Sequence, residues 1–384
     1  MQITDDILYI GVDDHEVDLF EGQYAVPNGM AYNSYLILDE KTAVMDTADA
    51  RFTEAWLTKL EAALGGRAPD YLIVQHVEPD HAGSVDAFAR RWPEAVIVAT
   101  AKAFTMMQQF FGDDYVNRRI VAAEGSELAL GRHTLCFVTA PMVHWPEVMV
   151  SYDAADRLLF SADAFGKFGA LDAEEPWTDE ARRYYIGIVG KYGAQVRALL
   201  KKAEGLEINT ICPTHGPVLR GAALSNALAL YTKWAAYEPE ERGVLVAYST
   251  VYGHTRAAAE KFAELLREKG VLVETRDLAR CDLAEAVAQA FRLDRLILAT
   301  TTYNNDVYPA MKRFLEGLAE RNFQNRRLGM IENGSWAPTA AKGMLKLLEN
   351  SKNLVFAEPT VTLRGALNAD SEAQLASLAA AMAE

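Results

Sequence analysis

The stretch Tyr71-Leu72-Ile73-Val74-Gln75-His76-Val77-Glu78-Pro79-Asp80-His81-Ala82-Gly83 decides how this chain is read. Residues 71–75 form a short apolar run ended by a turn, the pattern of a buried strand. Four side chains able to bind a metal follow within six residues: His76, Glu78, Asp80 and His81. A loop that turns directly off a strand can aim alternate residues at one point, and Pro79 restricts how it bends. The arrangement recurs further along. Residues 134–138 read as a strand with His144 a few residues beyond, 157–160 lead into Asp163, and 208–212 lead into His215. Four strands therefore present His or Asp just past their ends, the edge of an open α/β sheet at which sites are built. Clustered there, these groups point to a metal centre rather than to isolated structural histidines.

Outward from this stretch, strand-like apolar runs alternate with helical periodicity, so the expected fold class is α/β. At about 150 residues per domain, 384 residues imply two or three domains. The clearest seam is Tyr237-Glu238-Pro239-Glu240-Glu241-Arg242-Gly243, polar and carrying both Pro and Gly, after an amphipathic stretch at 222–234. The expected domains are residues 1–241 and 242–384, the second closed by an Ala-rich helix at 373–383.

Beyond the seam, residues 244–248 read as a buried strand, followed by Ser249-Thr250-Val251-Tyr252-Gly253-His254-Thr255 and a helical run at 256–269. Backbone amides of that loop, the helix N-terminus and the hydroxyls of Ser249, Thr250 and Thr255 can cradle a phosphate dianion. Gly253 would let the backbone approach it closely. Two further strands, 296–299 and 327–331, are each followed by a polar loop. The first is Thr300-Thr301-Thr302-Tyr303-Asn304-Asn305-Asp306 and the second Glu332-Asn333-Gly334-Ser335-Trp336.

Composition narrows the function. With 38 basic against 53 acidic residues the net charge is −15, which excludes a nucleic-acid binder or a polybasic membrane-surface protein. No run of 18 apolar residues is present, and the acidic start Met1-Gln2-Ile3-Thr4-Asp5-Asp6 is unlike a signal peptide. Cys136, Cys212 and Cys281 lie far apart, which excludes a disulfide framework, a C-x-x-C knuckle and an appended rubredoxin. Reduced thiols and a cytoplasmic location are expected. His15, His133 and His254 are expected at the surface or in loops, with His254 near a phosphate.

The cluster resembles the metallo-β-lactamase superfamily motif H-x-H-x-D-H followed by a distant His, Asp and His, except that Glu78 stands where zinc hydrolases carry His. Carboxylate oxygens suit iron better than selective zinc binding. Glu78, Asp80 and Asp163 bring three negative charges, which one hydroxide would complete for two ferrous ions. The Glu is the mark of the flavodiiron proteins, and the resemblance runs the whole chain. It includes Asn28-Gly29-Met30-Ala31-Tyr32-Asn33-Ser34-Tyr35, Met142-Val143-His144-Trp145-Pro146 and Cys212-Pro213-Thr214-His215-Gly216-Pro217. It implies that His76, Glu78 and His144 hold one iron and that Asp80, His81 and His215 hold the other. Asp163 would bridge them, and these seven ligands would be the catalytic residues.

The three C-terminal loops resemble the FMN site of flavodoxins. That likeness implicates residues 249–255, Thr302, Tyr303, Asn304, Asn305, Asn333, Gly334, Ser335 and Trp336, with Tyr303 and Trp336 against the isoalloxazine. The family implies an αβ/βα sandwich followed by a flavodoxin-like doubly wound sheet. It further implies reduction of dioxygen to water or of nitric oxide to nitrous oxide, with rubredoxin or a flavoprotein reductase as electron donor. A head-to-tail homodimer or a dimer of dimers is the implied assembly. Phe168, where many members have His, Thr301, where Pro is usual, and Asp306, where Gly is usual, depart from the pattern. A binuclear zinc hydrolase fused to a flavodoxin, and an electron carrier with a vestigial metal site, are the readings from other classes.

Overall fold

Inner strands of the N-terminal half, such as Tyr35–Ile37, Ala43–Met45 and Leu158–Phe160, are short, apolar and buried throughout because both faces of the sheet are covered there. The computed structural model describes residues Met1–Glu384, which divide into two units, Met1–Thr232 and Lys233–Glu384. In the first, one six-stranded sheet runs in the order Ile7–Tyr9, Tyr35–Ile37, Ala43–Met45, Tyr71–Ile73, Val96–Thr100, Arg119–Ala122. Its last four strands are parallel. A second sheet is ordered Glu127–Ala129, Thr134–Thr139, Met149–Asp153, Leu158–Phe160, Thr210–Cys212, Leu219–Arg220, with one parallel pair.

The two sheets stack face to face. Ile7, Ile37, Met45, Ile73 and Val98 from one meet Leu135, Phe137, Met149, Leu158 and Phe160 from the other in a common core. Alternate residues Leu36, Val44, Leu72 and Ile97 are wholly buried as well, so the opposite face is also covered. On the second sheet Val138, Val150, Leu159 and Ile211 face Leu199, Leu200 and Leu228 of helices Gly193–Ala203 and Gly221–Ala235. This is the expected αβ/βα sandwich. Its strand ends carry every residue of the predicted metal cluster.

In the second unit a parallel sheet, with strands numbered along the chain, has the order 2-1-3-4-5: Val273–Asp277, Glu241–Tyr248, Leu293–Tyr303, Arg326–Asn333, Leu354–Phe356. That is the doubly wound flavodoxin order, with its crevice where the first and third strands part. Helix His254–Arg267 buries Ala258, Phe262 and Leu266 with Leu375, Leu378 and Met382 of helix Ala369–Ala383. The latter starts at a reciprocal Asn368–Ser371 capping box.

Three expectations change. The polar Glu241-Arg242-Gly243 belongs to a strand, irregular between Glu241 and Val244, rather than to the seam. The threonines after Ala299 are strand as well: Thr300 and Thr301 pair with Glu332 and Asn333. Their β-branched side chains fit a pleated surface. Asn304 and Asn305, at φ 50° and 58°, then make a two-residue hairpin that pairs Tyr303 with Asp306. Asp306 thus sits in a hairpin strand, with one carboxylate oxygen accepting from the Val307 amide.

His133 is the third, in part. Expected at the surface or in a loop, it does lie in the loop before strand Thr134–Thr139 but is fully buried, with Nδ1 2.9 Å from Asp153 and Nε2 3.0 Å from Asp6. Burial opposes its charge, but hydrogen bonds to Asp153 and Asp6 outweigh it and push the pKa up to about 9. Because this lies above the unfolded value of about 6.5, the stabilisation is complete below that pH and is lost as pH rises through 9. His133→Asn should therefore destabilise most at pH 6. Urea unfolding across pH 6–9.5 should show the gap from the native protein closing steadily.

Candidate metal centre and cofactor cradle

Asp46 receives the Gln75 backbone N–H and side-chain amide at 2.8 and 2.9 Å, which ends the strand before His76. The chain then turns through extended Glu78 into a one-turn helix, Pro79–Ala82, with proline at its first position. Thr47 clamps that turn, donating from N and Oγ1 to the His81 carbonyl at 2.8 and 2.9 Å. Gly83 closes it: a Cβ there would stand 2.5 Å from the Pro79 carbonyl and 2.7 Å from the Ala50 nitrogen.

All seven predicted metal residues come together, in two clusters: His76, Glu78, His144 and Asp163, and Asp80, His81 and His215. His144 Nε2 lies 2.9 Å from both Glu78 Oε2 and Asp163 Oδ2. His76 Nε2 lies 3.3 and 3.6 Å from the same two oxygens. Across the centre, His81 Nε2 is 3.2 Å from Asp163 Oδ1 and 3.5 Å from Asp80 Oδ1. His215 Nε2 is 3.2 Å from Asp80 Oδ2 and 3.6 Å from Asp163 Oδ1. Asp163 therefore turns one oxygen toward each cluster.

These residues fit a pair of metal ions. Ligand atoms about 2.1 Å from one shared cation stand roughly 3 Å apart, which is the spacing found. Both Asp80 oxygens, His81 Nε2 and His215 Nε2 are buried without a hydrogen-bond partner, an arrangement costly unless something binds them. Electrostatics agree. Burial opposes charge on His81 and His144, yet Asp80 and Asp163 push His81, and Asp163 and Glu78 push His144, up to about 9. Burial would raise Asp163, but the neighbouring imidazoles hold it well below the usual carboxylate range. The carboxylates demand positive charge, which protons or metal cations can supply in competition.

The sequence reading missed the groups behind the cluster. Glu147 Oε1 lies 2.6 Å from His76 Nδ1, and Thr214 donates to Asp163 Oδ1 at 2.6 Å. His215 Nδ1 donates to the Ala31 carbonyl at 2.8 Å. The only local signals were a carboxylate three residues after His144 and a hydroxyl beside His215. Trp145 sets its ring edge-on to His76 at 5.0 Å. Phe168 is wholly buried against Tyr24, Phe20 and Tyr184, with the Arg183 guanidinium 4.5 Å above it. Phe20 and Tyr184 in turn pack on His215, so Phe168 braces the centre from one residue back.

In the C-terminal unit a cavity of about 380 Å³ opens at the switch point, a size typical of cofactor sites. Thirteen of the fifteen predicted cofactor residues line it: Thr250, Val251, Tyr252, His254, Thr255, Thr302, Tyr303, Asn304, Asn305, Asn333, Gly334, Ser335 and Trp336. Ser249 is buried beneath, hydrogen-bonded to Thr300 at 2.7 Å, and Gly253 supplies the left-handed turn (φ 93°) that starts the helix. No side chain caps that helix, leaving first-turn amides to face an anion. No Asp, Glu, Lys or Arg lines the cavity. Tyr252 and Trp336 are 89% and 79% exposed, an unusual position for large rings unless a planar ligand rests on them. Thr301, Ala337 and Gly365 also contribute to the lining. Gly365 belongs to a fourth loop, held by reciprocal bonds with the Asn333 side chain at 2.9 and 3.0 Å.

Fold and site together define a metallo-β-lactamase-like domain with a paired metal cluster, joined to a flavodoxin-like domain. Residues 30–216 match the family described as ODP family beta lactamase, and residues 245–369 match the flavodoxin domain family. The chain is 30% identical to the nitric oxide reductase of Moorella thermoacetica, over 94% of this chain and 92% of that protein. It is 30% identical to the anaerobic nitric oxide reductase flavorubredoxin of Salmonella arizonae, over 91% of this chain and 75% of the relative. The structure of rubredoxin oxygen:oxidoreductase from Desulfovibrio gigas superposes with TM-score 0.92 at 26% identity, covering 100% of this chain and 97% of that one. The chain belongs to the flavodiiron protein family.

Cobalt titration of the metal-free protein should reveal two cations per chain. Asp163→Asn, which removes the charge shared by both clusters, should abolish most uptake at each. Thr214→Val should cost about tenfold in affinity, the usual effect of losing a hydrogen bond behind a ligand. An unchanged isotherm for Asp163→Asn would place the bridge elsewhere.

Proposed function

We propose that this flavodiiron protein is an oxidoreductase that reduces dioxygen to water, nitric oxide to nitrous oxide, or both, at two irons supplied with electrons by FMN. The observation that carries the reading is Asp163, whose two oxygens face two different sets of ligand atoms. His76, Glu78 and His144 would hold one iron, Asp80, His81 and His215 the other, with Asp163 between them. Glu78, in place of a histidine, makes the donor set oxygen-rich and favours iron over zinc. When bound, the irons supply adjacent redox-active sites for the diatomic gas, and FMN supplies a two-electron store.

The chain's own residues do the rest. Gln75, Asp46, Thr47 and Gly83 fix the ligand turn, so the donors are oriented before any substrate arrives. Thr214 and the Ala31 carbonyl hold Asp163 and His215 in their working orientations. Phe20, Tyr184 and Trp145 wall the cluster with rings that limit water. In the second unit Thr250, Thr255 and the helix amides would take the FMN phosphate, while Tyr303 and Trp336 flank its ring.

A rubredoxin-type protein or a flavoprotein reductase is the proposed electron donor, and a head-to-tail homodimer or dimer of dimers the working assembly. Three free cysteines and the absence of any helix long and apolar enough to cross a membrane suit a cytoplasmic setting. Protein from iron-replete cells should contain two irons and one FMN per chain and, once reduced in the absence of air, should consume added dioxygen or nitric oxide. Stoichiometric zinc with hydrolase activity and no gas reduction would overturn this. For the assembly, Asp163→Asn mixed with a variant unable to bind FMN (Gly253 and Thr255 replaced by bulky acidic residues) should regain part of the activity on subunit exchange.

A further inference from the structure

We infer that Glu147 is a positioning residue that makes His76 the strongest imidazole donor of the centre, and so makes the two metal half-sites unequal. The inference rests on the two-metal reading above. Glu147 follows His144 by three residues, so one loop supplies a ligand and the support for another. Its side chain is fully buried, with Oε1 2.6 Å from His76 Nδ1. The same oxygen accepts the Val77 backbone N–H at 3.1 Å, while Oε2 has no partner. The loop cannot drift, because Thr100 donates to the Glu147 carbonyl at 2.9 Å and Met149 N–H to the Gln75 carbonyl at 3.0 Å.

An ionised Glu147 can only accept, so it is the carboxylate that assigns the Nδ1 proton to a metal-bound His76. With Nδ1–H donated to Glu147, His76 presents Nε2, the atom 3.3 Å from Glu78 Oε2, to the cluster. A carboxylate accepting that proton lends the ring more negative character than a neutral acceptor can, and strengthens its bond to a cation. The opposite half-site has no such support. His215 Nδ1 donates to the neutral Ala31 carbonyl, and His81 Nδ1 has no hydrogen-bond partner. A buried carboxylate is therefore hydrogen-bonded to a ring of the cluster of His76, Glu78 and His144, whereas neither His81 nor His215 donates to one: buried Asp46, near His81, is taken up by the Gln75 amides. The half-site of His76 should fill first and hold its cation more tightly.

The test compares native protein with Glu147→Gln, which keeps the shape and an acceptor oxygen but drops the charge. Metal-free protein is titrated with cobalt(II), following the visible ligand-field bands. The tighter step should weaken 10–100-fold, and the weaker step should change by less than about threefold. Histidine-labelled, zinc-loaded native protein should also show one strongly downfield, exchange-protected Nδ1–H, which disappears in Glu147→Gln. Equal weakening of both steps, or none, would mean that Glu147 only supports the fold. Should Glu147→Gln not fold, the native signal decides, and its absence overturns the inference. Failure of the native protein to take up two cations would remove both this inference and the reading beneath it. Two native steps with an unaltered variant would remove this inference alone.

Discussion

Three carboxylates and four imidazoles packed into one buried space require positive charge, and the N-terminal unit is arranged around that requirement. Isolated charges in such a place would cost several kcal/mol each. Here the acids and imidazoles are interleaved so that each of the three carboxylates faces a ring nitrogen 2.9–3.6 Å away. Protons can meet the demand, and so can two cations, which also answer the unpartnered atoms of Asp80, His81 and His215. The stacked sheets serve the arrangement by bringing four strand ends to one edge. The apolar layer between them makes that edge rigid enough to hold ligand geometry.

The C-terminal unit solves a different problem with neutral groups. Its cavity is lined by hydroxyls, amides and rings, with no Lys, Arg, Asp or Glu among them. An anion placed at the uncapped helix start is stabilised by oriented backbone N–H groups instead of by Lys or Arg. Leaving Tyr252 and Trp336 largely exposed is consistent with a surface that a flat aromatic ligand completes. The threonine-rich end of strand Leu293–Tyr303 and its Asn304–Asn305 hairpin give the second loop a defined shape in spite of the Asp306 departure.

The two clusters differ in the residues that stand behind them. His76 is backed by a buried carboxylate, His215 by a carbonyl, and Asp163 by the Thr214 hydroxyl on one oxygen. Phe168 works at one further remove, through Phe20 and Tyr184. Differences from the family pattern at such positions act on the centre through packing and hydrogen bonds, without touching the donor set.

The cluster itself was legible in the sequence because its chemistry is local: four metal-competent residues beside Pro79, and His or Asp just after three other apolar runs. Fold class was legible for a similar reason, since periodicity reports which faces are buried. The flavin loops were recognisable by their hydroxyls and by Gly253. What the tertiary structure alone decided lies between residues far apart in the chain. Glu147 meets His76 across 71 positions and Thr214 meets Asp163 across 51, and no local pattern encodes such pairs. His133 read as a surface or loop residue, and only Asp6 and Asp153 closing on it account for its burial within that loop. The threonines after Ala299 were strand only because Glu332 and Asn333 lie alongside to accept their pairing. Residue type and spacing determine which chemistry is possible; which acid backs which histidine depends on distances that exist only once the sheets have stacked.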